Sequence, residues 1–310
     1  MPSKPAVHPE VDAQSWLMLV GLSLLWGASF LFIKIAAADI PIFSLVFLRV
    51  ALAALVLHLF IVATGRPYPA DRRILRLYLL MGLLNNAIPF VLIVYATPRI
   101  GAGAAGILNA MTPVFTLLIA HWLTADEKIT ARRLTGILIG FAGVVVMIGP
   151  KAIGGLGVAV LAAFAMLGAT VSYGFSAVVA KNFRGVDPAV SSACQLTASS
   201  ALVLPLALAV DRPWSLPMPG VEAIWATIGF AILSTAVAYI LFFRIISRAG
   251  GTNVMLVTLL IPPSAVLLGM VFLDERLLPE ELAGMLLISA GLLVIDGRVL
   301  RWLQARYRTG

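Results

Sequence analysis

Ten apolar runs, separated by short polar connectors, organise nearly the whole chain. They span Trp16–Ala37, Ile42–Ala63, Leu75–Thr97, Gly101–Leu123, Leu134–Gly149, Leu156–Ala180, Ala189–Val210, Val221–Phe243, Asn253–Leu273 and Leu282–Ile295. A bilayer core needs about 17–25 such residues per helix. In lipid, backbone polar groups must be satisfied within each span, so runs like these predict helices. The fifth and tenth runs are short, which predicts helices that stand nearly upright or end in the interface. Connectors such as Asp39-Ile40-Pro41, Thr97-Pro98-Arg99 and Asp187-Pro188 predict tight helical hairpins without a soluble domain.

Composition agrees with the pattern. Hydrophobic residues make up 61% of the 310 and charged residues 12%, against about 25% charged in soluble domains. A mean hydropathy of +1.03 leaves too little polar surface for a soluble globule of this size. The net charge of +8 raises nucleic acid as a partner, but the positions of the charges point elsewhere. With the N-terminus inside, the inner segments hold 16 Lys and Arg and the outer loops 4; Lys34 and Arg49 lie within spans. Such a bias sets topology. It predicts cytoplasmic N- and C-termini in an inner or plasma membrane, and no nucleic-acid partner. The first run exceeds a signal-peptide core in length, so it is expected to stay as a span although Ala36-Ala37-Ala38 resembles a cleavage site. Cys194 is alone, which excludes an intrachain disulfide. His58 and His121 are isolated, and neither a metal nor a cofactor is expected.

The pattern is also written twice. The stretch LLWGASFLFIK at 24–34 matches VSYGFSAVVAK at 171–181, pairing Trp26 with Tyr173, Gly27 with Gly174, Ser29 with Ser176 and Lys34 with Lys181. Pro41 pairs with Pro188, Asn85-Asn86 with Ser234-Thr235, Phe90 with Tyr239, and Pro113 with Pro262. Asp126-Glu127 pairs with Asp274-Glu275, Gly136 with Gly284 and Gly143 with Gly291. The offset stays between 147 and 149 throughout. Five spans is an odd number, so the second copy must cross the membrane in the opposite sense. The expected fold is an all-α membrane protein of ten transmembrane helices in two inverted five-helix repeats, over 16–149 and 156–300. Inverted repeats of this kind serve alternating access about a site near the midplane.

WGASF in the first span, Pro41 and Arg49 around the second, and the run from Arg99-Ile100-Gly101 through Pro113 to Asp126-Glu127, all in duplicate, resemble the drug/metabolite transporter superfamily. More narrowly they resemble its ten-helix EamA-type permeases. The resemblance covers about Trp16 to Ile295 and implies secondary transport of small metabolites, often amino-acid export. Two features depart from it. The first copy has an extra residue between Pro113 and Glu127. The second has Tyr173 where the family often has tryptophan, and Leu196, next to Gln195, opposite Arg49.

Several positions are candidates for the substrate path. Trp26 and Ser29, with Tyr173 and Ser176, combine small residues and an aromatic at equivalent depth. They suit either close helix contact or the wall of a cavity. Asn85, Asn86, Asn109, Gln195, Ser234, Thr235, Tyr239 and Thr258 are polar groups within spans, largely repeated between copies. They suit either helix–helix hydrogen bonds or a pseudo-symmetric binding site. Arg49 lies inside span two, where a charge is costly. Backbone carbonyls, a loop acid such as Asp39, or a substrate carboxylate could partner it. Lys34 and Lys181 fall near span ends, where lysine snorkels to the interface, with a gating role as the other reading. Pro113 and Pro262 mark bends that either gate spans four and nine or kink them statically. Gly136-x-x-x-Gly140 is a packing face, expected against span four rather than in an oligomer. A monomer or a weak homo-oligomer is expected.

No Walker-type phosphate loop is present, so ATP is not bound that way. No carboxylate lies well inside a span, which argues against cation export through an essential acid. An enzyme would need a nucleophile with a base, or metal ligands, and neither cluster appears. The expected function is secondary transport of small metabolites, amino acids foremost, by export or exchange. The alternative is a nucleotide-sugar or phosphorylated-sugar exchanger, which would want more than one basic residue in the cavity.

Overall fold

The computed structural model describes residues 12–68, 72–125, 127–153, 157–183 and 185–297. Of the residues used above, Lys4, Asp126, Arg184, Arg298, Arg301, Arg306 and Arg308 lie outside the described set, as do the side chains of Arg72, Arg73 and Lys151. Among the described residues the structure is all-helical.

Ten helical segments follow the ten apolar runs. The first two are single helices, α1 (Ala13–Ala36) and α2 (Ile42–Ala63). The third is α3 (Arg72–Met81), a π-helical turn (Gly82–Ala87) and α4 (Ile88–Ile100). The fourth is broken into α5 (Ala102–Asn109) and α6 (Thr112–Leu123). The fifth and sixth are α7 (Ala131–Ile153) and α8 (Val158–Ala180). The seventh is α9 (Pro188–Leu206), ending in a π-helical turn (Ala207–Asp211). The eighth is α10 (Val221–Ala231), a π-helical turn (Ile232–Val237) and α11 (Ala238–Ala249). The ninth is α12 (Gly251–Val254) and α13 (Val257–Leu273), and the tenth is α14 (Pro279–Asp296). Eight of these segments are long and apolar enough to cross a membrane, and Val257–Leu273 is a shorter apolar helix.

Local chemistry sets the ends. Asp12 caps α1 by accepting from Ser15 N, and Asp187 caps α9 by accepting from Ala189 N and Val190 N, with Pro188 at the first helical position. The turns before α5 and α12 both require a positive φ, 92° at Gly101 and 85° at Gly250, which glycine adopts without a Cβ penalty. The fifth and tenth segments are longer than the hydropathy suggested, at 23 and 18 residues. Helices continue past the apolar run because Arg132 and Arg133 can sit in the first turn of α7 with their charges at the interface, and because buried Glu281 accepts from Leu278 N at the start of α14.

Elements of the first copy pack on elements of the second, and the contacts recur with the copies exchanged. Helix α1 packs on α13, as α8 packs on α6; α4 packs on α8, as α10 and α11 pack on α1. A Cβ built on Gly27 would meet Ser264, and one on Gly174 would meet Phe115, the position equivalent to Ser264. Helices α2 and α9 pair with each other, as do α7 and α14. The last pair corrects half of an expectation. Gly140 does face span four, its Cβ position against Met111 and Val114, but Gly136 closes on α14 against Gly291 O, as Gly143 does against Gly284 O. Without a hydrophobic drive between helices in lipid, close backbone approach through small residues supplies the packing. Gly143→Leu would place a side chain where Gly284 O lies 2.8 Å from a Cβ. The expected cost is at least about 1–3 kcal/mol, read as a lower melting temperature in detergent, while Gly149→Leu, with open space around it, leaves it unchanged.

Candidate functional site

A cluster of interior polar groups surrounds two of the π-helical turns, which lie at equivalent places in the two copies and carry Asn85-Asn86 and Ser234-Thr235. A π turn widens the helix by one residue and displaces carbonyls from their usual partners, and such turns concentrate at functional sites. Hydroxyls from the other copy meet the first one: Ser199 donates to Gly82 O and Ser172 to Leu84 O. In the second, Thr235 Oγ1 donates to Phe230 O at 3.0 Å. Gly82 lets α9 approach this closely, since a Cβ there would lie 2.8 Å from Gln195 O.

Arg49, on α2, is 6% exposed. Its guanidinium packs against two phenyl rings, with Cζ 3.5 Å from the Phe90 centroid and 4.0 Å from that of Phe230. Desolvated cation–π contacts of this kind contribute about 2 kcal/mol. Nε donates to Thr235 Oγ1 at 3.0 Å, and this is its one hydrogen bond among the described residues. The hydroxyls of Tyr173 and Tyr239 lie close enough to interact electrostatically with the cation. Asp39 is not its partner, because that carboxylate accepts from Gly220 N.

Beside Arg49 runs a network that joins both copies. Asn85 Nδ2 donates to Gln195 Oε1 at 3.1 Å, Ser176 Oγ donates to Asn85 Oδ1 at 3.0 Å, and Gln195 Nε2 donates to Ser192 Oγ. Asn86 and Ser234 are fully buried, and neither side chain has a hydrogen-bond partner among the described residues. An unmet buried group costs about 1–3 kcal/mol, so these positions carry an energetic cost that apolar residues would not.

Comparison with known proteins gives this arrangement a family. The EamA-like transporter family matches residues 14–149 and again 160–296. The chain belongs to that family. The uncharacterized transporter YoaV of Bacillus subtilis (strain 168) is 22% identical over 281 residues, which cover 89% of this chain and 94% of YoaV. A probable amino-acid metabolite efflux pump of Escherichia coli (strain K12) is 27% identical and covers 91% of this chain and 94% of the pump. A protein of known crystal structure superposes with a TM-score of 0.64 at 20% identity, over 91% of this chain and 97% of its own, which shows a shared fold.

Within this EamA-family chain, the structure brings together Arg49, Asn85, Tyr173, Ser176, Gln195, Thr235 and Tyr239. Asn86 and Ser234 sit beside them in sequence on the two π turns. Trp26 reaches the cluster through a chain of rings: it meets Phe242 at a tilt with centroids 5.5 Å apart, Phe242 meets Phe243 edge-on, and Phe243 stacks on Tyr239. Ser29 is buried in α1 with no hydrogen bond to this network among the described residues. Asn109 and Thr258 lie at breaks in the fourth and ninth segments, outside the network. Pro113 opens α6 just after the break at Ala110–Met111, where Thr112 Oγ1 donates to the Asn109 O that proline cannot serve. The ninth segment breaks at Met255–Leu256 instead, well before Pro262, which stays inside α13.

Two carboxylates that sequence reasoning did not place in any site prove to be central at the helix ends. Lys34, expected as a snorkelling anchor, pairs with Glu275 at 2.5 Å. Glu275 also accepts from Ala102 N at 2.9 Å and Gly103 N at 3.1 Å, at the start of α5. Partial burial pushes its carboxyl up, but Lys34 and the two amides outweigh this and hold it below the ordinary value. The equivalent residues, Lys181 and Glu127, pair at 2.8 Å. Each lysine thus reaches the acid of the other copy. The duplicated Asp-Glu pair was the available signal, but sequence spacing does not reveal a cross-copy partner.

Proposed function

We propose that this EamA-family chain is a secondary transporter that moves small metabolites, amino acids foremost, by alternating access between two inverted five-helix repeats over 16–149 and 156–300. The observation that carries this reading is the buried polar cluster around Arg49, set at duplicated π turns. Polar and charged groups inside a membrane bundle are costly and are retained where a solute or ion passes. The reciprocal contacts between copies support the inverted repeat, because a pseudo-two-fold axis makes residue i of one half meet residue j of the other in both directions. The name of the Escherichia coli relative supports amino acids as the substrate class. On the charge bias, the repeats lie in an inner or plasma membrane with both termini in the cytoplasm.

The test is counterflow in liposomes of purified protein with a panel of labelled amino acids, wild type beside Trp26→Ala. Saturable exchange by wild type is the expected result. Trp26→Ala should weaken it several-fold by loosening the ring contacts that run from Phe242 through Phe243 to Tyr239. If no amino acid is exchanged, the substrate class falls, and phosphorylated or nucleotide-linked metabolites become the class to assay.

A further inference from the structure

We propose that the distal edge of Arg49 is the receptor for a carboxylate of the transported solute, so that the path takes monocarboxylates, with amino acids held by their α-carboxylate. The inference deepens the transport reading above and rests on it. Two phenyl rings cover the guanidinium and Nε is bound to Thr235. The N–H groups of Nη1 and Nη2 have no acceptor among the described residues. A guanidinium presents these donors as a planar fork that matches a carboxylate bidentately.

Among the described residues no carboxylate pairs with this charge. Asp39 accepts from Gly220 N, Asp211 from Ser44 N, Asp187 pairs with Arg66, and Glu127 and Glu275 pair with the two lysines. A lone cation inside a bundle is satisfied by an anion that arrives with the solute. One cation, with both lysines engaged elsewhere, matches a single negative charge better than a phosphate dianion. Asn86 and Ser234 provide the second indication. Both are fully buried and unpartnered. Asn86 lies one helical turn before Phe90 and Ser234 is next to Thr235, so each shares a membrane segment with a residue that contacts Arg49. Their amide and hydroxyl suit the remaining lone pairs of a carboxylate.

The experiment is thermal stabilisation of the full-length protein in detergent by matched ligands, followed by counterflow. The probes are phenylalanine beside phenylalaninamide, and phenylacetate beside phenylacetamide. Acids should stabilise wild type at concentrations at least about tenfold lower than their amides. Arg49→Gln should abolish the difference. Arg49→Lys, which keeps the charge without the fork, should restore it only in part. Equal stabilisation by acid and amide, or by neither, overturns the inference, and this holds on wild type alone should both variants fail to fold. Counterflow separates the two readings. Amino-acid exchange matched by the amide leaves the transport reading standing and removes the carboxylate receptor. Acid-selective, Arg49-dependent stabilisation without amino-acid exchange does the reverse.

Discussion

Glu275→Gln lowers the stability of the protein by about 2–4 kcal/mol, while Glu127→Gln costs under about 1 kcal/mol. The difference follows from what each carboxylate touches. Glu275 has a side chain 16% exposed and joins Lys34 to two backbone amides. Breaking a partly buried ion pair and weakening two charge-assisted hydrogen bonds removes an interaction of that size. Glu127 and Lys181 are 38% and 31% exposed, so solvent screens their pairing. The measurement is the shift in melting temperature of each variant, with Lys34→Met and the double variant closing a cycle. Coupling above about 1 kcal/mol is expected for the Lys34–Glu275 pair. A pH series adds a sign. The folded-state pKa of Glu275 is depressed. Its contribution is therefore complete above the ordinary carboxylate range and is lost as pH falls through the lowered value. The gap between wild type and Glu275→Gln narrows on acidification. A gap that widens toward low pH would sink this account.

Asn85→Leu stops exchange while leaving the fold in place. Its amide donates to Gln195 and accepts from Ser176. Removing it takes the partner from Gln195 Oε1 on α9 and breaks the link to Ser176 on α8. The expected loss of stability is about 1–3 kcal/mol. Counterflow should fall by more than about tenfold, the equivalent of about 1.4 kcal/mol at the path. Asn109→Leu is the comparison. It removes an orphaned side chain at the break between α5 and α6, touches nothing in the network and should change exchange little. Equal loss in both variants would mean that the cluster at the π turns has no special part in transport.

Much of the fold was legible along the chain. Segment ends fell within a few residues of the hydropathy runs because lipid forces each span to be apolar and helical. The candidate cluster was legible as a set of repeated polar positions. Arg49 was recognisable as a costly charge, and Asn85-Asn86 with Ser234-Thr235 as a duplicated pair. Sequence spacing could not show that both pairs lie on π turns, because a π turn adds one residue and leaves the hydropathy pattern unchanged. Nor could it separate Asn85 and Gln195, which meet, from Asn109 and Thr258, which do not.

The sequence by itself determined the membrane class, the ten helical segments and the duplication, since these depend on local hydropathy and on periodic matches along one chain. Tertiary structure alone decided who meets whom. It set Arg49 between Phe90 and Phe230, gave Lys34 to Glu275 and Lys181 to Glu127, and closed Gly136 and Gly143 on α14. Those pairings join residues more than 40 positions apart, and all but Arg49 with Phe90 join the two copies. They are fixed by packing between the two copies, which no single stretch of sequence contains.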